Sequence, residues 1–151
     1  MHLGPMGDQI TMDYSYLLTP FIAWLVAGSL KFTINSLRAG QLAFGMIGYG
    51  GLPSNHGAIV SSMAALIAFK EGIQHPAFGV AVALAFIVLL DANSLRRQIG
   101  KQAQAINHLA REANTTTHVS PLRERIGHTK LELVAGVAVG VMVAYVIATV
   151  R

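Results

Sequence analysis

The sequence contains no cysteine and little charge. With no Cys among 151 residues, disulfide bonds and thiolate metal sites are both excluded. Charged residues make up only 12% of the chain, whereas soluble domains usually carry about 25%. The chain is 53% hydrophobic, with a mean hydropathy of +0.52. This scarcity of charge predicts a protein whose main solvent is lipid.

Basic residues are also missing from the N-terminal segment. Residues 1–13 contain no Lys or Arg, so the positively charged region that opens a cleavable signal peptide is missing. The first apolar segment is therefore expected to be a retained helix. In the whole chain, Lys and Arg number 11 against 7 Asp and Glu, and the pI is about 9.8. These cations lie beside apolar segments and form no soluble basic face, so we expect no nucleic-acid partner.

Four apolar stretches organise the chain. They predict a single membrane domain over residues 1–151, with spans at approximately 14–37, 56–71, 75–93 and 130–150. The outer two meet the length of about 20 residues that a span needs. The middle two are short and favour a tight helical hairpin, although two buried helices of a soluble protein are the alternative. The predicted fold class is an all-α integral membrane four-helix bundle.

The segment 94–129 is the only long polar region of the sequence. Leu95, Ile99, Ile106 and Leu109 fall on one helical face, with basic residues outside or beside it. This pattern predicts a basic amphipathic extension of the third helix, lying along the lipid headgroups. The turn-forming residues of 114–121 predict a loop.

The distribution of cations predicts the orientation of the chain. Seven of the 11 Lys and Arg residues lie between Asp91 and Lys130, and two more, Lys31 and Arg38, end the first helix. Four spans place both regions on one side of the membrane. The positive-inside rule makes that side cytoplasmic. In a bacterial source, the expected location is the inner (plasma) membrane.

Alternation of the spans gathers ionisable groups at this same membrane face. Such groups beside hydrocarbon are candidates for function. The set is Lys31 and Arg38 after the first span, residues 50–56 before the second, Asp91, Arg96 and Arg97 after the third, and His128 and Glu132 before the fourth.

The phosphate-binding interpretation of the first two groups has alternatives. Lys31 and Arg38 are two helical turns apart and can clamp two oxygens of one phosphate, or they can extend to lipid headgroups. Residues 50–56 offer backbone N–H groups at a helix N-terminus, which suits an anion. Ser54 or Asn55 can instead cap that helix.

The two histidines are the strongest candidates for chemistry. His128 and Glu132 are four residues apart and share a helix face, so the carboxylate can fix the tautomer of an attacking imidazole or form a plain salt bridge. His56 can protonate a leaving oxygen or be an ordinary interfacial histidine. Asp91 can pair with Arg96 or Arg97, as a structural contact or as a catalytic group.

These motifs resemble those of the type 2 phosphatidic acid phosphatase superfamily. The order and helix context of K31-x6-R38, P53-S54-N55-H56 and H128-x3-E132 are similar to its K-x6-RP, PSGH and SR-x5-H-x3-D motifs. The stretch from Gly50 to Gly136 resembles the divergent branch of that superfamily still more closely. The resemblance covers residues 14–150, nearly the whole chain.

The resemblance implies a phosphatase that needs no metal and no cofactor. The phosphate would be held by Lys31, Arg38, Ser54, Asn55 and the loop amides. His128 would be the nucleophile, oriented by Glu132, and His56 would be the general acid. The substrate would be a lipid-linked phosphate or diphosphate, with a polyprenyl or glycerolipid tail.

Four positions depart from the superfamily pattern. They are Ala39 for Pro, Asn55 for Gly, Glu132 for Asp and Leu122 for Arg. The arginine missing at position 122 has several candidate replacements, namely Arg123, Arg125, Arg96 and Arg97. We expect Arg96 or Arg97 to contribute, because the third helix delivers this pair to the correct membrane face.

Two other functions fit the same residues. A lipid-phosphate binding or transport protein of the same fold would keep the basic cradle without turnover, and Leu122 favours it. A proton or metal relay would use Asp91, Glu132 and the two histidines. In either case membrane lipids are partners, and a homodimer that buries the flanks of only four spans is a further expectation.

Overall fold

The structure is a computed structural model that describes residues 13–42, 51–112, 120–124 and 126–150. Gly50, Arg125 and most of the loop predicted at 114–121 lie outside the described residues. Within those ranges the chain is helical and has no strand, which confirms the all-α class.

Five α-helices and one π-helical turn make up the described chain. Their bounds are α1 Ser15–Ala39, α2 Asn55–Lys70, α3 Pro76–Leu90, the π turn Asp91–Leu95, α4 Arg96–Glu112 and α5 Lys130–Thr149. The elements from α3 to α4 form one continuous helix, Pro76–Glu112. In the described part of the chain, three helices are long and apolar enough to cross a membrane, namely α1, this long helix and α5.

Helix α2 is the shortest of the predicted spans and packs inside the bundle. Its 16 residues extend about 24 Å at 1.5 Å per residue, less than the hydrocarbon core of about 30 Å. It contacts α1, α3 and α5. Small residues permit close packing, since a Cβ at Gly140 of α5 would lie only 2.4 Å from the carbonyl oxygen of Ala58.

Polar contacts join α1 to the C-terminal end of α2. Lys70 Nζ lies 2.7 Å from Asp13 Oδ2 and donates to Ser15 Oγ at 2.8 Å. Tyr16 donates to Glu71. The hydrogen bond from Lys70 lowers the pKa of Asp13 to about 2. These contacts align the N-terminus of α1 with the C-terminus of α2, so the two helices are antiparallel.

The opposite end of the bundle brings the predicted site segments together. Asn35 of α1 lies beside Gly51, 3.6 Å from a Cβ added there. The Ser54 N–H donates to the Glu132 carbonyl oxygen at 2.9 Å. The segment before α5 is thereby joined to the start of α2.

The described residues 122 and 124, between α4 and α5, pack against α4. Asn107, which is buried, bonds both the N–H and the C=O of Leu122 at 2.8 Å. The backbone of Glu124 also packs closely against α4 at Gly100, because a Cβ added at Gly100 would lie only 2.5 Å from the Glu124 carbonyl oxygen. We call residues 120–128 the return segment. Leu95, Ile99, Ile106 and Leu109 lie on a different face of the helix and are 44–63% exposed.

Candidate active site

Two histidines from distant parts of the sequence meet at this end of the bundle. The rings of His56 and His128 are 5.5 Å apart between centroids and inclined at 61°. His56 lies in the first turn of α2, whose N-cap is Ser54. His128 directly precedes Thr129, the N-cap of α5. Helix α2 and the return segment therefore place one imidazole each.

The backbone of His128 is fixed against the long helix. Its N–H donates to the carbonyl oxygen of Ala92, in the π turn, at 3.0 Å. Gly127 precedes it with φ of 100°, a conformation that glycine adopts without steric cost. A Cβ at Gly127 would lie 3.1 Å from the Arg97 nitrogen, so this close approach also needs glycine.

Unpartnered polar atoms cluster around the two rings. Among the described residues, four buried side-chain atoms lack a hydrogen-bond partner, and these are Asn55 Oδ1, His56 Nδ1, His128 Nδ1 and His128 Nε2. Buried polar atoms in folded proteins nearly always have a partner. Three of the four are nitrogens of the two rings themselves, which favours a site that binds a polar group.

Glu132 has a structural role that the sequence interpretation missed. Its Oε2 accepts from the Thr129 N–H at 2.9 Å, while Thr129 Oγ1 accepts from the Glu132 N–H at 3.2 Å. This reciprocal pair is a capping box, which the pattern T-x-x-E before an apolar run predicts. The same Oε2 lies 3.9 Å from His128 Nδ1, within ion-pair range but longer than a hydrogen bond.

Two cations lie near the histidine pair. The charges of Lys31 and Arg96 both act on His56 and on His128. Arg96 Nε is also 3.2 Å from Asp91 Oδ2. Lys31 lies in α1 beside Gly51, whose added Cβ would be 3.8 Å from Lys31 Cγ. These two side chains come from different helices and approach the same pair of rings.

The other predicted phosphate ligands are placed differently. Arg38 is exposed in the last turn of α1. Arg97 lines an open groove of about 570 Å³ whose described lining includes neither histidine. Ser54 is fully buried and its Oγ accepts from the Gly57 N–H at 3.3 Å, so it caps α2. Asn55 has a buried, unpartnered Oδ1, and its Nδ2 would lie 3.8 Å from a Cβ added at Gly28 of α1.

The segment that lacks the superfamily arginine is bound to α4. Leu122 is 44% exposed, and Asn107 binds its backbone. Arg123 is exposed next to it, and Arg125 is outside the described residues. Asn107 had no distinguishing sequence signal, because one Asn in a polar helix is usually solvated.

The environment of His128 favours its neutral form. Burial is the main cause that lowers the pKa of His128 below its usual value of 6.5, and Lys31 and Arg96 lower it further. A backbone hydrogen bond with Gly127 and the charge of Glu132 raise that pKa, but the net direction is downward. A neutral imidazole keeps a lone pair on one nitrogen, which a nucleophile or an acceptor requires.

No group of three or more His, Asp or Glu side chains suited to a metal occurs among the described residues. The candidate site consists of the imidazoles of His56 and His128, the cations of Lys31 and Arg96, and the carboxylate of Glu132 at the start of α5. The roles assigned to these residues from the sequence stay predictions.

Comparison with known proteins identifies the family. Residues 12–143 match the sequence profile of the divergent PAP2 family. The chain belongs to the divergent PAP2 family. The resemblance stated from the motifs is thereby confirmed.

A relative of this divergent PAP2 protein is the uncharacterized membrane protein YuiD of Bacillus subtilis (strain 168). The two sequences are 27% identical over 146 residues, which cover 87% of this chain and 92% of the relative. No solved structure matches the chain. A membrane protein among its relatives and three membrane-length helices in the described residues support membrane association.

Proposed function

We propose that this divergent PAP2 protein is a membrane phosphatase that hydrolyses a lipid-linked phosphate or diphosphate through a phosphohistidine. The observation that carries the proposal is the pair of imidazoles, 5.5 Å apart, with unpartnered nitrogens on both rings. Rings at this distance are in edge-to-face contact, so a phosphoryl group would bind beside the pair, within reach of an attacking nitrogen on one ring and a proton donor on the other. Membership of a phosphatase-related family supports the same chemistry.

The first chemical step is attack by His128 on phosphorus. Nδ1 of His128 lies nearer Glu132, so a proton on Nδ1 leaves the Nε2 lone pair to form the new N–P bond. The bond from phosphorus to the leaving oxygen breaks, and that oxygen takes its electrons and a proton from His56. Lys31 and Arg96 offset the negative charge on the phosphoryl oxygens.

The second step returns the enzyme to its starting state. His56, now neutral, accepts a proton from water as the water oxygen attacks the phosphohistidine. The N–P bond breaks, its electrons return to His128, and inorganic phosphate leaves. Because the leaving group and the water occupy the same side of phosphorus, one histidine serves both proton transfers.

The membrane setting favours a lipid-anchored substrate. The site lies where α2 begins and where the long helix leaves its apolar part, so a lipid tail can stay among the helices' apolar surfaces. Exposed apolar side chains, such as Leu84, Phe86 and Ile87 of α3, provide such surfaces. Polyprenyl and glycerolipid tails fit equally. We place the protein in a bacterial inner membrane, with this face in the cytoplasm.

A binding or transport protein for lipid phosphates is the second candidate. Leu122 occupies the position of the superfamily arginine, and its backbone is fixed by Asn107. Lys31 and Arg96 are the described cations whose charges act on both histidines. Such a protein would hold the phosphate with these two cations and would release none of it.

A phosphate-release assay with two substrates distinguishes the phosphatase from the binding or transport protein. Purified protein in detergent is incubated with a lipid monophosphate and with an activated aryl phosphate, and phosphate release is measured. His56→Ala should lower the rate on the lipid by about 10²–10⁴-fold, but lower the rate on the aryl phosphate far less, because its phenolate leaves without a proton. His128→Ala should abolish both reactions and any trapped phosphoenzyme.

Three results would count against the phosphatase. An active His128→Ala variant would exclude the phosphohistidine, and equal losses on both substrates for His56→Ala would exclude the general acid. Phosphate binding without release by the unmodified protein would favour the binding function. His75→Ala is the matched control, since His75 caps α3 through Ala77 at the hairpin and should keep full activity.

A further inference from the structure

A π-helical turn interrupts the long helix beside the two histidines. In this turn the Arg96 N–H donates to the carbonyl oxygen of Asp91, five residues earlier. Residues five apart in an α-helix point about 140° away from each other. The wider i→i+5 turn instead brings them to one side of the helix. Asp91 Oδ2 consequently lies 3.2 Å from Arg96 Nε.

The same turn holds the backbone of His128. The carbonyl oxygen of Ala92 accepts the His128 N–H at 3.0 Å, and Gly127 packs against the backbone of Arg96 and Arg97. The π turn Asp91–Leu95 therefore fixes the backbone position of His128 as well as the position of the Arg96 guanidinium. π-helical turns of this kind occur often at functional sites.

The ion pair with Asp91 leaves most of the Arg96 guanidinium available. A guanidinium has five N–H donors, one on Nε and four on the two terminal nitrogens. Asp91 faces Nε. The four remaining donors are those that bind phosphate oxygens in pairs.

We infer that Asp91 is a positioning residue, which acts through Arg96 and makes this arginine the replacement for the one missing at position 122. The inference rests on the proposed function, since it assumes that a phosphate occupies the site. It predicts that removal of the Asp91 carboxylate weakens phosphate binding, which is the opposite of what charge repulsion alone predicts. A carboxylate close to a phosphate repels it, so removal of Asp91 would strengthen binding if the residue had no positioning role.

Binding of inorganic phosphate to the full chain in detergent, measured by calorimetry, tests the inference. Arg96→Ala should weaken binding by about tenfold or more. Asp91→Ala and Asp91→Leu, which both lack an acceptor oxygen, should weaken it by about threefold to tenfold. In an Arg96→Ala background, the same Asp91 changes should alter affinity by less than about twofold, because Asp91 then has nothing to position.

Two further variants separate positioning from a general effect on the helix. Asp91→Asn keeps an acceptor oxygen for the Nε–H and should retain affinity within about threefold. Glu112→Ala removes another carboxylate of the same helix, which lies 3.5 Å from His108 Nδ1, and should leave phosphate binding unchanged. Melting temperatures of all variants show which of them are folded.

The outcomes distinguish this inference from the proposed function. Stronger phosphate binding after Asp91→Ala or Asp91→Leu overturns the positioning role, as does an equal loss with and without Arg96. An unmodified protein that binds no phosphate overturns the inference and the phosphatase together. Coupled Asp91 and Arg96 effects in a protein that releases no phosphate from lipid substrates support the inference and overturn only the phosphatase.

Discussion

The contact of α2 with α5 at Gly140 is one of several close glycine contacts that hold these two helices together. A Cβ on Gly140 would lie 2.2 Å from Ser61 Oγ and 2.4 Å from the Ala58 carbonyl oxygen. Real Cβ atoms essentially never approach below 3.0 Å, so the backbone of α2 would have to retreat by at least 0.6 Å (3.0 − 2.4). The Ser61 hydroxyl is also constrained, because it donates to the Gly57 carbonyl oxygen at 2.6 Å.

Gly140→Ala should therefore destabilise the bundle. Overpacking of this kind costs about 1–3 kcal/mol, which for a chain of this length lowers the melting temperature by about 3–10 °C. Thermal unfolding in detergent can be followed by the fluorescence of Trp24, since the chain has one Trp. The proposed phosphatase activity should fall as well, because separation of α2 from α5 moves His56 away from His128.

Gly79→Ala is the matched control for this substitution. Gly79 lies in α3, and a Cβ there meets nothing within 4 Å. Alanine is favoured over glycine inside a helix by roughly 0.5–1 kcal/mol, so Gly79→Ala should keep or raise the melting temperature. If Gly140→Ala melts at the same temperature as Gly79→Ala, the tight contact between α2 and α5 does not exist.

Two further predictions concern protonation and orientation. If His128 attacks as proposed, it must be neutral, and burial lowers its pKa, so activity should be lost as the pH falls through that lowered pKa. Burial also lowers the pKa of His56, so turnover of a lipid phosphate should fall again as the pH rises and His56 loses the proton that it donates. Arg96→Ala removes a cation that lowers the pKa of His128, so the His128 midpoint in an NMR titration should rise; a fall would contradict the placement of Arg96. Cysteines at Gln41 and Ser120 should react with an impermeant thiol reagent from one side of the membrane, and a cysteine at Ile73, in the hairpin, from the other. Equal reactivity of Ile73→Cys and Ser120→Cys from one side would refute the predicted orientation.

The sequence was sufficient to predict which residues would gather at one end of the bundle. Successive apolar helices that pack in one bundle alternate in direction, so the residues at their ends fall at one end of the bundle or the other. His56 and His128 are 5.5 Å apart for this reason, although 71 residues separate them in the chain. The all-α class follows from the same segments.

Details within a single turn were not predictable in the same way. Lys31 and Arg38 share a helix face, but seven residues also separate them by about 10 Å along the axis. Lys31 can therefore act on the histidines while Arg38 is exposed at the end of α1. The choice between Arg96 and Arg97 depends on the π turn, and the residues Asp91–Leu95 carry no sequence signal that separates a π turn from an α-helix.

The two contacts of Glu132 show a different limit of prediction from the sequence. Its four-residue spacing from His128 predicted an orienting carboxylate, and the capping-box pattern with Thr129 was equally readable. Both contacts involve the same oxygen, Oε2. Sequence spacing indicates which partners a side chain can reach, but the distances of 2.9 and 3.9 Å show which contact is the closer one.

The short length of α2 makes the site sensitive to bilayer thickness. Asp13 and Lys70 align α1 with α2 at one end, and the 25 residues of α1 exceed the 16 of α2 by nine, or about 13 Å. The N-terminus of α2, and His56 with it, thus lies well below the end of α1. A bilayer adapts to such hydrophobic mismatch by thinning or by helix tilt. If the protein hydrolyses a lipid phosphate as proposed, that phosphate would have farther to descend to reach His128 in a thicker membrane. The acyl-chain length of the surrounding lipids would then affect turnover separately from the chemistry of the substrate itself.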